Sequence, residues 1–193
     1  MQSRSKATTT HYTNIILFIC LIVAIGLAIF ASVQLQSSEA IVSFIASFGY
    51  IGVFVAGLIA GLNVLFPIPA ATLSPLFVEA GLTIPLIIAF LALGTLAADF
   101  IGYLIGHTSR SIIETKHPKI VELVNKVSIL HPGWIMLFVT IYAAFVPLPN
   151  ELILVPLAFV GVSWRVLIIP LFIGALFIQT VLVAGVTSIE VLF

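Results

Sequence analysis

The chain has 193 residues, of which 62% are apolar and 7% charged, with seven basic and seven acidic side chains and a mean hydropathy of +1.32. Soluble domains carry about 25% charged residues, and a core this small cannot hide so much apolar surface. Composition excludes a basic nucleic-acid binder, a disordered tail and an ordinary cytosolic enzyme, and it makes lipid the main solvent.

Residues 1–14 are polar, carry Arg4 and Lys6, and read as a cytoplasmic N-terminus. Residues 15–33 contain no charge. That length crosses a hydrocarbon layer of about 30 Å and exceeds the apolar stretch of a signal peptide. With no convincing small-x-small cleavage site, it reads as an uncleaved first transmembrane helix. Its cysteine, Cys20, is the only one in the chain and reads as a packing residue, so neither a disulfide nor a cysteine-based zinc site is expected. In 34–49, Ile41, Phe44, Ile45 and Phe48 recur at helical spacing and predict a short interfacial helix.

Residues 50–106 form a first unit. An apolar arm from Tyr50 to Phe66 meets Pro67-Ile68-Pro69, and a second arm runs to Thr83 with Pro75 and Glu79 inside it. Two prolines two apart stop a helix and leave backbone groups unpaired. Lipid tolerates such a break only where protein or water covers it. The second arm is too short to span, so the unit reads as a re-entrant hairpin followed by a crossing from Ile84 to Gly106, interrupted by Asp99. Residues 107–132 hold Arg110, Glu114, Lys116, Lys119, Glu122 and Lys126 among apolar positions, and read as an amphipathic cytoplasmic connector. Residues 133–193 repeat the pattern: an arm to Val146, the break Pro147-Leu148-Pro149, Asn150 and Glu151, a second arm to Ser163, Arg165, and a last span from Val166 to about Thr187.

A shift of 80 superposes the two units. Pro67 falls on Pro147, Pro69 on Pro149, Gly81 on Gly161, Thr83 on Ser163, Gly94 on Gly174 and Asp99 on Gln179. Each unit crosses an odd number of times, so the second is inverted relative to the first, as in secondary transporters built from broken helices. The predicted fold is an all-α membrane protein, an inverted repeat of re-entrant hairpin plus transmembrane helix, with an extra N-terminal transmembrane helix. In this topology every Lys and Arg lies inside, as the positive-inside rule demands. The expected location is the cell (inner or plasma) membrane, multi-pass, with the N-terminus cytoplasmic.

Asp99, the only aspartate, lies in an apolar span. Insertion scales put such a residue at about 2.5–3.5 kcal/mol, so it should face protein or water. It reads either as a titratable group on a substrate path or as a hydrogen-bonding residue that fixes packing. Glu151, beside Asn150, reads either as a carrier on the pathway or as an acid at a half-helix N-terminus. Glu79 reads as an interfacial carboxylate. Arg165 and Arg110 are positive-inside anchors or contacts for lipid phosphate. His107, His117 and His131 do not have the spacing of a metal set. Gly57-x-x-x-Gly61 and Gly102-x-x-x-Gly106 have the small-residue spacing that lets the hairpin pack closely on the following span. A second aspartate for an aspartyl protease, H-E-x-x-H, G-x-S-x-G and a phosphate-binding glycine loop are all missing, so no enzyme, cofactor or metal is expected.

The run Gly94-Thr95-Leu96-Ala97-Ala98-Asp99-Phe100-Ile101-Gly102-Tyr103-Leu104-Ile105-Gly106, the breaks Phe66-Pro67-Ile68-Pro69 and Val146-Pro147-Leu148-Pro149-Asn150-Glu151, Gly161 and Gly174-Ala175 resemble the DedA family, within the wider VTT (SNARE-associated) superfamily. The resemblance covers about residues 50–187. It implies two facing re-entrant hairpins and transport or scrambling of phosphate-bearing lipids, phospholipid or polyprenyl phosphate, with protons as the coupled ion in several bacterial members. By that analogy Asp99, Glu151, Asn150 and Gln179 line the substrate or proton pathway. Many members carry an acid where this chain has Ala70 and Ala71, arginines around the second break where it has Ala143, Ala144 and Asn150, and arginine at the place of His107. A further C-terminal span of many members has no counterpart in these residues. Membrane lipids are the expected partners. A non-transporting scaffold, a small-solute or ion transporter of the same architecture, and homo-oligomerisation stay open.

Overall fold

The computed structural model describes residues 39–62, 69–114, 131–146 and 148–190. The N-terminal segment, the expected first span, Pro67, Pro147 and residues 115–130 of the connector lie outside them, as does the side chain of Arg110. The regular structure among the described residues is helical. α1 is Glu39–Gly61, a 3-10 turn at Ala70–Leu73 runs into α2 (Ser74–Glu79), and α3 is Ile84–Glu114. α4 (Pro132–Phe145), α5 (Glu151–Val160) and α6 (Trp164–Glu190) follow.

The expected interfacial helix and the first arm meet at Gly49, whose non-helical dihedrals, φ 52° and ψ −139°, divide α1 into two helical segments. The segment before Gly49 exposes Phe44 and Phe48, whose rings meet edge to face 4.9 Å apart. α3 has 31 residues and α6 has 27, about 46 and 40 Å at 1.5 Å per residue. Their stretches Ile84–Thr108 and Trp164–Ser188 are apolar and long enough to cross a membrane. The chain is thus all-helical in its described part and compatible with a membrane protein. α3 does not stop at Gly106 but continues two turns to Glu114, into the expected connector. No proline or left-handed glycine lies in that stretch, so nothing breaks the helix there.

Local structure recurs eighty residues apart. The second arms begin on the second proline of each break: Thr72 N–H donates to Pro69 O at 3.0 Å, and Leu152 N–H to Pro149 O at 3.2 Å. They end on left-handed glycines, Gly81 at φ 84° and Gly161 at φ 93°. At each glycine two bonds close the helix end as a Schellman motif. Gly81 N–H and Leu82 N–H donate to Val78 O and Phe77 O; Gly161 N–H and Val162 N–H donate to Ala158 O and Leu157 O, all within 2.9–3.0 Å. The long helices then start after Thr83 and Ser163.

Lipid tails are as apolar as leucine, so helices associate in lipid by close packing rather than by a hydrophobic drive. α1 lies on α3 and α4 on α6. A Cβ on Gly94 would meet Phe54 O and lie 2.6 Å from Leu58 N, so α1 and α3 touch backbone to backbone; on Gly174 it would lie 2.5 Å from Ala143 Cβ. Gly57 and Gly61 form the other side of the α1–α3 contact, as their spacing predicts. The second arms differ in what they meet: α5 packs on α3, whereas the 3-10 turn and α2 touch α6 and also α1 and α3.

Two apolar clusters result. One joins Ile135, Val139 and Ala143 of α4, Leu154 and Ala158 of α5, Leu167 and Leu171 of α6, and Tyr103 of α3. The other joins Val53 of α1, Ala70, Ala71 and Phe77, Ile87 and Leu91 of α3, and Val183 of α6. The beginning of α3 therefore meets the end of α6, and the reverse, so the two long helices run antiparallel. Between the clusters, at mid-helix, lie the buried polar residues Asp99 and Gln179. Ile51, Ile59, Phe138, Phe145, Ile169 and Ile173 turn outward.

Candidate functional site

Asp99 occupies the middle of α3 and is 1% exposed. Its partner comes from the second break. Asn150 Nδ2 donates to Oδ1 and to Oδ2 at 3.1 Å each. Asn150 is the residue before α5, and its carbonyl accepts from Ile153 N–H at 3.0 Å and Leu154 N–H at 2.9 Å. Its side chain therefore reads Asp99 while its backbone is part of the first turn of α5. The break is held from α4 as well, where Tyr142 Oη donates to Pro149 O at 3.3 Å. Pro156, inside α5, has no N–H to give to the Leu152 carbonyl four residues back.

Glu151 is the first residue of α5. A Cβ on Gly102 would lie 2.9 Å from Glu151 Cγ, so the glycine leaves the space this side chain fills. Gly102 is three residues beyond Asp99, so both acids approach one face of α3. The Glu151 carboxyl oxygens are buried and have no hydrogen-bond partner among the described residues. Glu151 also lies in the first turn of α5, where the helix dipole favours an acid.

On the other side of Asp99, Gln179 of α6 is buried, and its Nε2 donates to Thr95 Oγ1 at 3.4 Å. That hydroxyl donates in turn to Leu91 O at 3.0 Å. Gln179 Oε1 is buried without a partner among the described residues. Thr95, Asp99 and Gly102 stand at i, i+4 and i+7, one face of α3 about 10 Å long. Along it they meet Gln179, Asn150 and Glu151, each from a different part of the chain.

The four expected pathway residues thus come together. Arg165 does not join them: it is exposed in the first turn of α6, at the end where Trp164 packs on Tyr103. Pro69 and Pro149 start the second arms, and Glu79 is exposed at the end of α2. Thr95 and Tyr142 are additions the sequence did not mark, whereas Tyr103, part of the run quoted above, donates its Oη to Val162 O at 3.1 Å. Among the described residues no ion pair reaches Asp99 or Glu151, and no three His, Cys, Asp or Glu side chains gather as a metal set.

No family model matches the chain, and no curated protein or solved structure matches it either.

Proposed function

We propose that the protein is a DedA-like membrane transporter or scramblase of phosphate-bearing lipids, coupled to protons. In this reading the two breaks are the tips of re-entrant hairpins, and the units before and after the connector are inverted copies. The recurring helix starts and ends, the antiparallel long helices and the packing of α5 on α3 all support it. The observation that carries the proposal is the contact of Asp99 with Asn150, with Glu151 alongside: a buried acid at mid-span is tied to a helix break.

Chemistry links the acids to the cargo. An anionic headgroup beside two carboxylates is repelled, whereas beside two carboxylic acids it meets O–H donors. An acid buried without a cation is neutralised by a proton or by a cation brought to it. Proton loading would thus admit the phosphate, and proton loss would expel it, while the acyl chains stay in lipid. Gln179 and Asn150 would supply further polar contacts along the path.

The test is leaflet exchange in proteoliposomes, using labelled phospholipids and a polyprenyl phosphate, with and without a pH gradient. Wild type should accelerate exchange, and Asp99→Asn should abolish the gradient-driven part at unchanged expression. A scaffold would leave exchange at the protein-free rate. A second reading, a small-solute or ion transporter, is favoured by the absence of a cation beside the acids among the described residues. Movement of solute without lipid in the same vesicles would select it.

A further inference from the structure

We infer that Asn150 is the positioning residue that converts the charge state of Asp99 into a movement of the α5 entrance. The inference rests on the reading of Asp99 as the acid that takes up protons. One amide nitrogen lies 3.1 Å from both carboxyl oxygens, an arrangement in which a carboxylate accepts at each. A carboxylic acid accepts well at its carbonyl oxygen only and carries a donor on the other, which then faces an N–H donor. Protonation therefore removes one contact, or turns the amide so that its oxygen meets the new O–H. Either way the clamp changes.

The clamp is joined directly to what must move. The Asn150 carbonyl anchors two N–H groups of the first turn of α5, so a shift of the side chain is passed to the helix end. Glu151 is next in the chain and packs against Gly102 with its carboxyl oxygens unpaired, so it is carried along. Binding of a proton at one acid would thereby reposition the other. The groups facing Asp99 keep this readout specific. α5 brings Glu151, α6 brings the neutral Gln179, and α1 brings Gly61, which meets Ala98 and Thr95. The 3-10 turn and α2 bring only Glu79 as a titratable group, and it is exposed. Tyr142 of α4 reaches the break through Pro149.

The test uses the full chain in liposomes, in a Cys20→Ser background with a spin label at Leu148→Cys, within the break and exposed. Label mobility should change through a single titration on acidification. Asp99→Asn, whose amide offers one acceptor, should show the low-pH signal at every pH. Asn150→Leu should abolish the response, while the carboxylic-acid C=O band of Asp99, assigned by its loss in Asp99→Asn, still appears in infrared difference spectra on acidification. Asp99→Asn keeps the proposal decidable if Asn150→Leu does not fold. A label that titrates as in wild type in either variant overturns the inference. If the label responds as expected but no lipid moves, the coupling stands and the transport reading falls. If lipid moves with a pH gradient while the wild-type label does not respond, the reverse holds.

Discussion

At Gly102 a single methyl group decides how closely Glu151 approaches the face of α3 that carries Asp99. Gly102→Ala brings Cβ within 2.9 Å of Glu151 Cγ. The obstructing atom belongs to a side chain that can swing, so the cost should stay at about 1–3 kcal/mol. Thermal unfolding in detergent should fall slightly, and the pH profile of transport should move more than the stability does. Thr95→Val removes the acceptor of Gln179 Nε2 and leaves a buried donor unpaired, which should destabilise by about 1–3 kcal/mol. Unfolding measurements on Thr95→Val and Thr95→Ser, which keeps the hydroxyl, would separate that loss from packing. Asp99 was legible because a lone acid stands out in an apolar run. Thr95 was not, because threonine is ordinary in a helix and its partner lies 84 residues away.

Among the elements, the long helices and their starts were visible in hydropathy and in the paired Thr83 and Ser163. The paired glycines Gly81 and Gly161 marked the ends of both second arms, because few residues other than glycine accept those dihedrals. Gly161→Val should cost at least the roughly 1–2 kcal/mol of a left-handed β-branched residue. Gly185→Ala, where a Cβ meets nothing within 4 Å, should be neutral or stabilising in the same assay. Gly94→Ala should be worse than Gly102→Ala. It drives Cβ into the backbone of Phe54 and Leu58, which cannot swing aside, and folded yield on size-exclusion should collapse. The 3-10 character of Ala70–Leu73 and the extension of α3 to Glu114 were not legible. The first depends on how the chain leaves Pro69, and the second lies in a polar stretch where the apolar pattern that defines a span has ended.

For the whole molecule, the offset of 80 was legible in prolines and glycines, but the packing of α5 on α3 was not. Periodicity marks which face of an arm is apolar and leaves open which long helix that face meets. The two halves also differ in chemistry at matched places: Asn150 and Glu151 stand opposite Ala70 and Ala71, which are buried in an apolar cluster. Only the second break thus brings an acid, Glu151, toward Asp99 of the first unit. The proposed topology has its own check, again in a Cys20→Ser background. A cysteine at Glu79 should react with an impermeant reagent from outside intact cells, and one at Arg165 only after permeabilisation; labelling of both from one side would refute the inversion.

The antiparallel pairing of the long helices carries one more consequence. Their apolar stretches of 25 residues measure about 37 Å, against a hydrocarbon slab of about 30 Å, so in a bilayer leaning is one way for both to fit. Thr95 and Gln179 pin the two rods together near mid-length, as a rivet holds a pair of scissors. A thicker, sterol-stiffened sheet would stand the rods up and narrow the angle between them; a thinner one would splay them. Acyl-chain length alone would then tune the shape of the rivet region, with no ligand and no change of pH.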